Sequence, residues 1–133
     1  MPLRRYKEKR MTVYEAIAKV KDRKPNAYSD ESLNDFLNDC EAMVQRELML
    51  TVPDEIIQYN WAEDRDKELI LPRPYDELYV TYIIMMIQYN QEEWTAYNNS
   101  QVMFTSQYQG AQGYYNRLNP NPPSLVIRNW MRG

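Results

Sequence analysis

Side chains able to do chemistry are few in this 133-residue chain, and most of them are carboxylates. Asp76 stands beside Glu77 and Glu92 beside Glu93, and paired acids can share general acid and base work. Adjacent positions on a helix point in different directions, so these pairs read as a solvated helix start and a turn. The run Asp64-Arg65-Asp66-Lys67-Glu68 offers oxygens to Ca²⁺ or Mg²⁺. It lacks the glycine and the closing glutamate that a calcium loop needs, so no metal site is expected there. Histidine is absent, which removes the commonest general base and the commonest transition-metal ligand. The lone cysteine, Cys40, has no basic neighbour to favour its thiolate and sits on an apolar stripe, so it reads as core packing. Gly110, Gly113 and Gly133 form no phosphate-cradling loop. Taken together, these residues point away from an enzyme and call for no cofactor.

The elements that carry these residues are helical. From Pro74 to Leu118 a stripe runs through Val80, Ile83, Ile87, Trp94, Tyr97, Phe104, Tyr108, Ala111, Tyr115 and Leu118. With Asn90 and Gln101 as polar members it steps by three and four in alternation, the period of a helix with one buried seam. A single helix over this stretch would reach about 66 Å at the α-helical rise, more than the rest of the chain could cover. Asn90 and the pair Asn98-Asn99 are weak points, and a hairpin of helices at about 75–90 and 92–118 is expected, turning near Asn90-Gln91. The seam is rich in tyrosine, which buries its ring and keeps a hydroxyl for a partner; such surfaces suit protein–protein packing. Trp94, Tyr97, Phe104, Tyr108 and Tyr115 are therefore candidates for a subunit interface. Gly110 and Gly113 fall mid-helix, where bare backbone either admits a close neighbour or is simply tolerated.

Upstream, Thr12 and Glu15 form a capping box for a helix ending before Pro25. Ser29 or Asp30 caps a second helix over roughly 30–50, whose apolar face runs through Leu33, Phe36, Leu37, Cys40, Met43, Val44, Glu47 and Leu48. Residues 51–73 form a long connection in which Leu69-Ile70-Leu71 is expected to be extended and buried. Pro74 is placed near the first turn of the third helix. Residues 1–11 are a basic N-terminal arm, 12–118 a helical domain, and 119–133 an extended tail opened by prolines. The tail's Leu125, Val126, Ile127, Trp130 and Met131 are too apolar for a free end and call for a docking site. The expected fold is all-α: a small helical bundle with a long C-terminal helical hairpin and an extended C-terminal tail.

Charge is uneven. Residues 1–29 carry nine Lys/Arg and three acids (+6), residues 30–93 four and sixteen (−12), and residues 94–133 three and none (+3), summing to −3. Basic ends and an acidic middle suit assembly of neighbouring copies. No apolar run approaches the roughly eighteen residues of a membrane span, and the charged N-terminus is followed by no apolar core of a signal peptide. With one cysteine, synthesis in a reducing cytoplasm is expected.

Val13-Tyr14-Glu15-Ala16, Lys24-Pro25-Asn26-Ala27-Tyr28-Ser29, Leu69 to Tyr79 (LILPRPYDELY), Tyr97-Asn98-Asn99-Ser100 and Tyr114-Tyr115-Asn116-Arg117 together carry a family resemblance. The chain resembles the head–tail connector (adaptor) proteins of tailed bacteriophages over most of residues 12–118. The resemblance implies a structural virion protein at the neck, made in the host cytoplasm. It also implies a homo-oligomeric ring, dodecameric in the family, beneath the portal protein. Such a ring extends the DNA channel and receives the next tail or stopper protein. Genomic DNA would pass without sequence-specific binding, and an acidic lumen would repel phosphate and let it slide. The portal-docking segment would be Leu125 to Met131. The basic arm has no counterpart in the resemblance. The alternative is a small all-α DNA-binding packaging protein of the terminase small-subunit type, with Arg4, Arg5, Lys7, Lys9 and Arg10 on phosphate. That reading lacks a helix with a basic recognition face.

Overall fold

The computed structural model describes residues 9–118. Among these, the helices are α1 (Val13–Arg23), α2 (Asp30–Glu47), a short α3 (Trp61–Asp64), α4 (Glu77–Asn90) and α5 (Trp94–Leu118). A single 3₁₀ turn, Pro53–Glu55, lies between α2 and α3. The described residues contain no strand, only an isolated antiparallel bridge between Thr12 and Glu68. The fold is all-helical, as the sequence predicts, with the expected C-terminal hairpin. The tail with Leu125, Val126, Ile127, Trp130 and Met131 lies outside the described residues, as does the arm up to Glu8.

Local chemistry sets the helix ends. The Thr12 hydroxyl accepts the Glu15 amide and the Glu15 carboxylate accepts the Thr12 amide, both at 3.1 Å, so the capping box forms. That amide donor holds the Glu15 carboxyl below its ordinary range. Two further first-turn donors of α1 are taken by the later connection: the Val13 amide donates to the Lys67 carbonyl and the Tyr14 amide to the Arg65 carbonyl. Ser29 caps α2 through the Ser32 amide. Pro74 does not open α4. It lies in the turn ahead of the helix and follows a cis peptide bond after Arg73, while Asp76 takes the N-cap position.

α4 is the central element, with α1, α2 and α5 all packed against it. Hence its buried residues, Leu78, Tyr79, Val80, Thr81, Ile83, Met85, Ile87 and Gln88, fall on several faces and not on one seam. Leu33, Leu37, Cys40 and Val44 of α2, with Ala16, Ile17 and Val20 of α1, fill the space beside it. Leu69 and Leu71 are buried, but their segment is not extended, since the chain bends at Ile70 and Leu71. The Leu69 amide donates to the Met11 carbonyl. Cys40 is fully buried, and burial pushes its thiol well above the usual range.

Candidate interaction surface

The polar side chains that position the surface lie on α2. Asn34, Asn38, Glu41 and Gln45 recur at steps of four and three, which places them along one side of the helix. Each grips the connection running past. The Asn34 and Asn38 amides donate to the Tyr59 carbonyl, and the Tyr59 amide donates back to the Asn38 Oδ1. Gln45 makes the same two-way clasp on Ile57, at 2.9 and 2.8 Å. Glu41, fully buried, accepts the hydroxyls of Tyr59 and Tyr79 and the amide of Ile70. The Tyr79 hydroxyl in turn accepts the Leu71 amide. Burial lifts the Glu41 carboxyl above its ordinary value, against the pull of its Tyr79, Ile70 and Tyr59 donors. This stripe is a scaffold: it ties the connection between Ile57 and Leu71, α3 included, onto α2 and α4.

Of the carboxylates flagged from sequence, Glu77 and Glu93 are paired, whereas Asp76 Oδ2 is buried without a hydrogen bond, with Arg73 Nε 3.7 Å away. Asp76 is buried, and burial raises its carboxyl. Glu77 is bonded by Arg23 and Lys19, and the Arg23 bond holds its carboxyl below the ordinary range. Glu93 accepts the Lys24 ammonium at 2.7 Å, while Glu92 is exposed at a left-handed φ of 60° in the hairpin turn. Lys21 meets Asp30 at 3.0 Å. The basic side chains of α1 therefore pair with the acidic middle inside this chain, which reduces the charge contrast open to a neighbour. Among the described residues no three His, Cys, Asp or Glu side chains gather as a metal site would need. No described helix is long and apolar enough to cross a membrane.

The five aromatic candidates take different places. Trp94 is half exposed and meets Tyr89 and Tyr97 edge-on or tilted, so three rings crown the tip of the hairpin. Tyr97 is half-buried in that cluster. Phe104 is half-buried between Tyr82 and Tyr108. Tyr108 is buried and donates its hydroxyl to Glu47 at 2.6 Å, which fastens α5 to the end of α2. Burial and that bond push its phenol upward. Tyr115 is half-buried beside Tyr114.

Along its 25 residues α5 buries only Tyr108 and Ala111. Its other side carries Val102 at 73% exposure, lining a shallow hollow with Gln101, Thr105, Ser106 and Gln109, while Met103, 56% exposed, accepts the Thr81 hydroxyl of α4 at its sulfur. Sequence reasoning missed a second apolar surface, the lip formed by Met49, Leu50, Val52 and Ile57 after α2. Its signal was available: MLTVPDEII is too apolar for an ordinary connection. The chain matches no protein-family model, no curated protein and no solved structure.

Proposed function

We propose that this chain is a structural connector of a tailed-phage particle, working by assembly and not by catalysis. The observation that carries the reading is α5, a 25-residue helix of which one side is left outside the chain's own core. Exposed Val102 and Met103 on that helix, and the Trp94–Tyr97–Tyr89 crown at its start, are groups that gain by burial against another protein. The resemblance of LILPRPYDELY and YNNS to the connector family supplies the assembly: copies form a ring, dodecameric in that family, below the portal protein. Trp94 and Tyr97 meet the neighbouring copy directly. Phe104, Tyr108 and Tyr115 hold the hairpin on the bundle and set the angle at which it is offered. The ring carries genomic DNA through its lumen without reading sequence, passes on to a tail or stopper protein, and belongs to the virion neck. Leu125, Val126, Ile127, Trp130 and Met131 bind the portal, gaining apolar burial as they do so.

The test is reconstitution with purified portal rings. Removal of residues 122–133 should abolish attachment and leave the helical circular-dichroism signal unchanged; attachment by the shortened chain would overturn the tail's role. Antibody labelling of particles should fall at the neck, and label on the shell or none at all would overturn the connector reading. A salt-dependent shift of duplex DNA by the purified chain would favour the packaging protein instead.

A further inference from the structure

The lip after α2 is built and presented, not merely left over. Met49, Leu50, Val52 and Ile57 are 43%, 64%, 53% and 54% exposed. Leu50 holds a left-handed φ of 55°, a place at a helix end that glycine fills at less cost. Leucine there keeps the strain and points an apolar group outward, a combination found where a partner is met. The lip is also braced. The Thr51 amide donates to the Gln45 carbonyl at 2.9 Å, and the buried Gln45 side chain clasps Ile57 from the other end.

Acids predominate along its rim, with Arg46 exposed in the last turn of α2 ahead of it. Asp54 and Glu55 stand exposed between Val52 and Ile57 and form no ion pair with another described residue. From Glu47 to Asp64 the sequence holds five acids and no Lys or Arg. The matching chemistry lies at the start of the chain. Residues 1–8 carry Arg4, Arg5 and Lys7 against Glu8, interleaved with Leu3 and Tyr6. The cations of α1 are already paired with Glu77, Asp30 and Glu93. Lys9 lies 3.9 Å from Glu15, and the Arg10 guanidinium donates to the Ile70 carbonyl while its backbone amide donates to Glu68.

We propose that the lip of one copy docks residues 1–8 of a second copy, with Leu50 as the central apolar anchor and Asp54 and Glu55 facing the arginines. Arm and lip are separate parts of each copy, so the contact is head-to-tail and repeats along an assembly. It stands independently of the connector reading, because both halves belong to this chain.

The experiment uses a fluorescent peptide of residues 1–10 and a full-length recipient whose own arm is reversed in charge (R4E/R5E). Peptide anisotropy should rise with added recipient and weaken with salt. Leu50→Gly should weaken binding about tenfold or more while leaving the melting temperature unchanged or a few degrees higher, since it relieves the left-handed strain. Asp54→Lys with Glu55→Lys should also weaken binding, and an R4E/R5E peptide should restore it. Sedimentation of the unmodified chain should show mass rising with concentration. Binding indifferent to Leu50→Gly, a melting temperature that falls with it, or a chain monomeric at every concentration would each overturn the proposal; the last would place the arm on its own copy.

Discussion

Glu41 is the residue on which the interior depends most. It is a fully buried carboxyl with three donors, one from each of Tyr59, Tyr79 and Ile70. Glu41→Gln puts an amide N–H where a donor already points, and a stranded buried donor costs about 1–3 kcal/mol, to be read from urea unfolding. The pH dependence has a defined sign. Burial raises the folded pKa above the ordinary 4.5. The group's stabilising contribution is therefore fully present below about 4.5 and is lost as pH rises through the higher folded value. Melting temperatures taken from mildly acid to neutral pH should show the gap between wild type and Glu41→Gln narrowing as pH rises; a widening gap would contradict this. At Gly110 the nearest side-chain atom to an added Cβ would be the Tyr75 ring at 3.8 Å, an ordinary contact. Gly110→Ala should thus stabilise the isolated chain by about 0.5–1 kcal/mol. The glycine is not required by packing within the chain. Little of the Glu41 site was legible from sequence. The steps of four and three through Asn34, Asn38, Glu41 and Gln45 were visible, but one helix cannot show what its polar side meets.

At the scale of elements, the hairpin was legible because Asn90-Gln91 interrupts an otherwise continuous period, and α4 and α5 part there. The seam holds on both sides of the turn: Val80, Ile83, Ile87, Tyr108 and Ala111 are buried, and Phe104 and Tyr115 pack against the core. What the seam does not show is that α4 is covered by α1, α2 and α5 on several sides. Trp94 and Leu118, both on the seam by spacing, are the first and last residues of α5 and are 50% and 62% exposed. The turn has a cost of its own, since Glu92 is held at φ 60°. Glu92→Gly should raise stability by up to about 1 kcal/mol, measurable in thermal melts, because the residue is exposed and makes no ion pair with another described residue. The burial of Leu69 and Leu71 followed from their apolar run, but the segment is not extended: the chain bends at Ile70 and Leu71, and Ile70 is only half-buried. The single turn of α3 was not legible, as four residues carry no readable period.

For the molecule as a whole, the question is which surfaces remain after the chain has satisfied itself. Ion pairs from Lys19, Lys21, Arg23 and Lys24 draw much of the charge contrast inward. Being largely exposed pairs, they add little stability each. The exposed side of α5 and the lip after α2 are what is left for partners. Val102→Glu should leave the melting temperature within about 2 °C, since Val102 is 73% exposed. The same substitution should prevent ring formation with portal present, as read by negative-stain imaging. Loss of folding in that variant, or rings unaffected by it, would contradict the assignment of α5 to assembly.

By itself the sequence determined the four longer helices, the caps of α1 and α2 and the hairpin, because these rest on period and on groups a few residues apart. It also indicated which residue types must be buried somewhere. Which of them are buried within this chain, and which are left for another, was decided only by tertiary packing. Tyr108 reaches Glu47 across 61 residues, and Glu41 reaches Tyr79 across 38. The pairing of distant side chains sorts one tyrosine into the core and leaves Trp94 and Leu50 in the open.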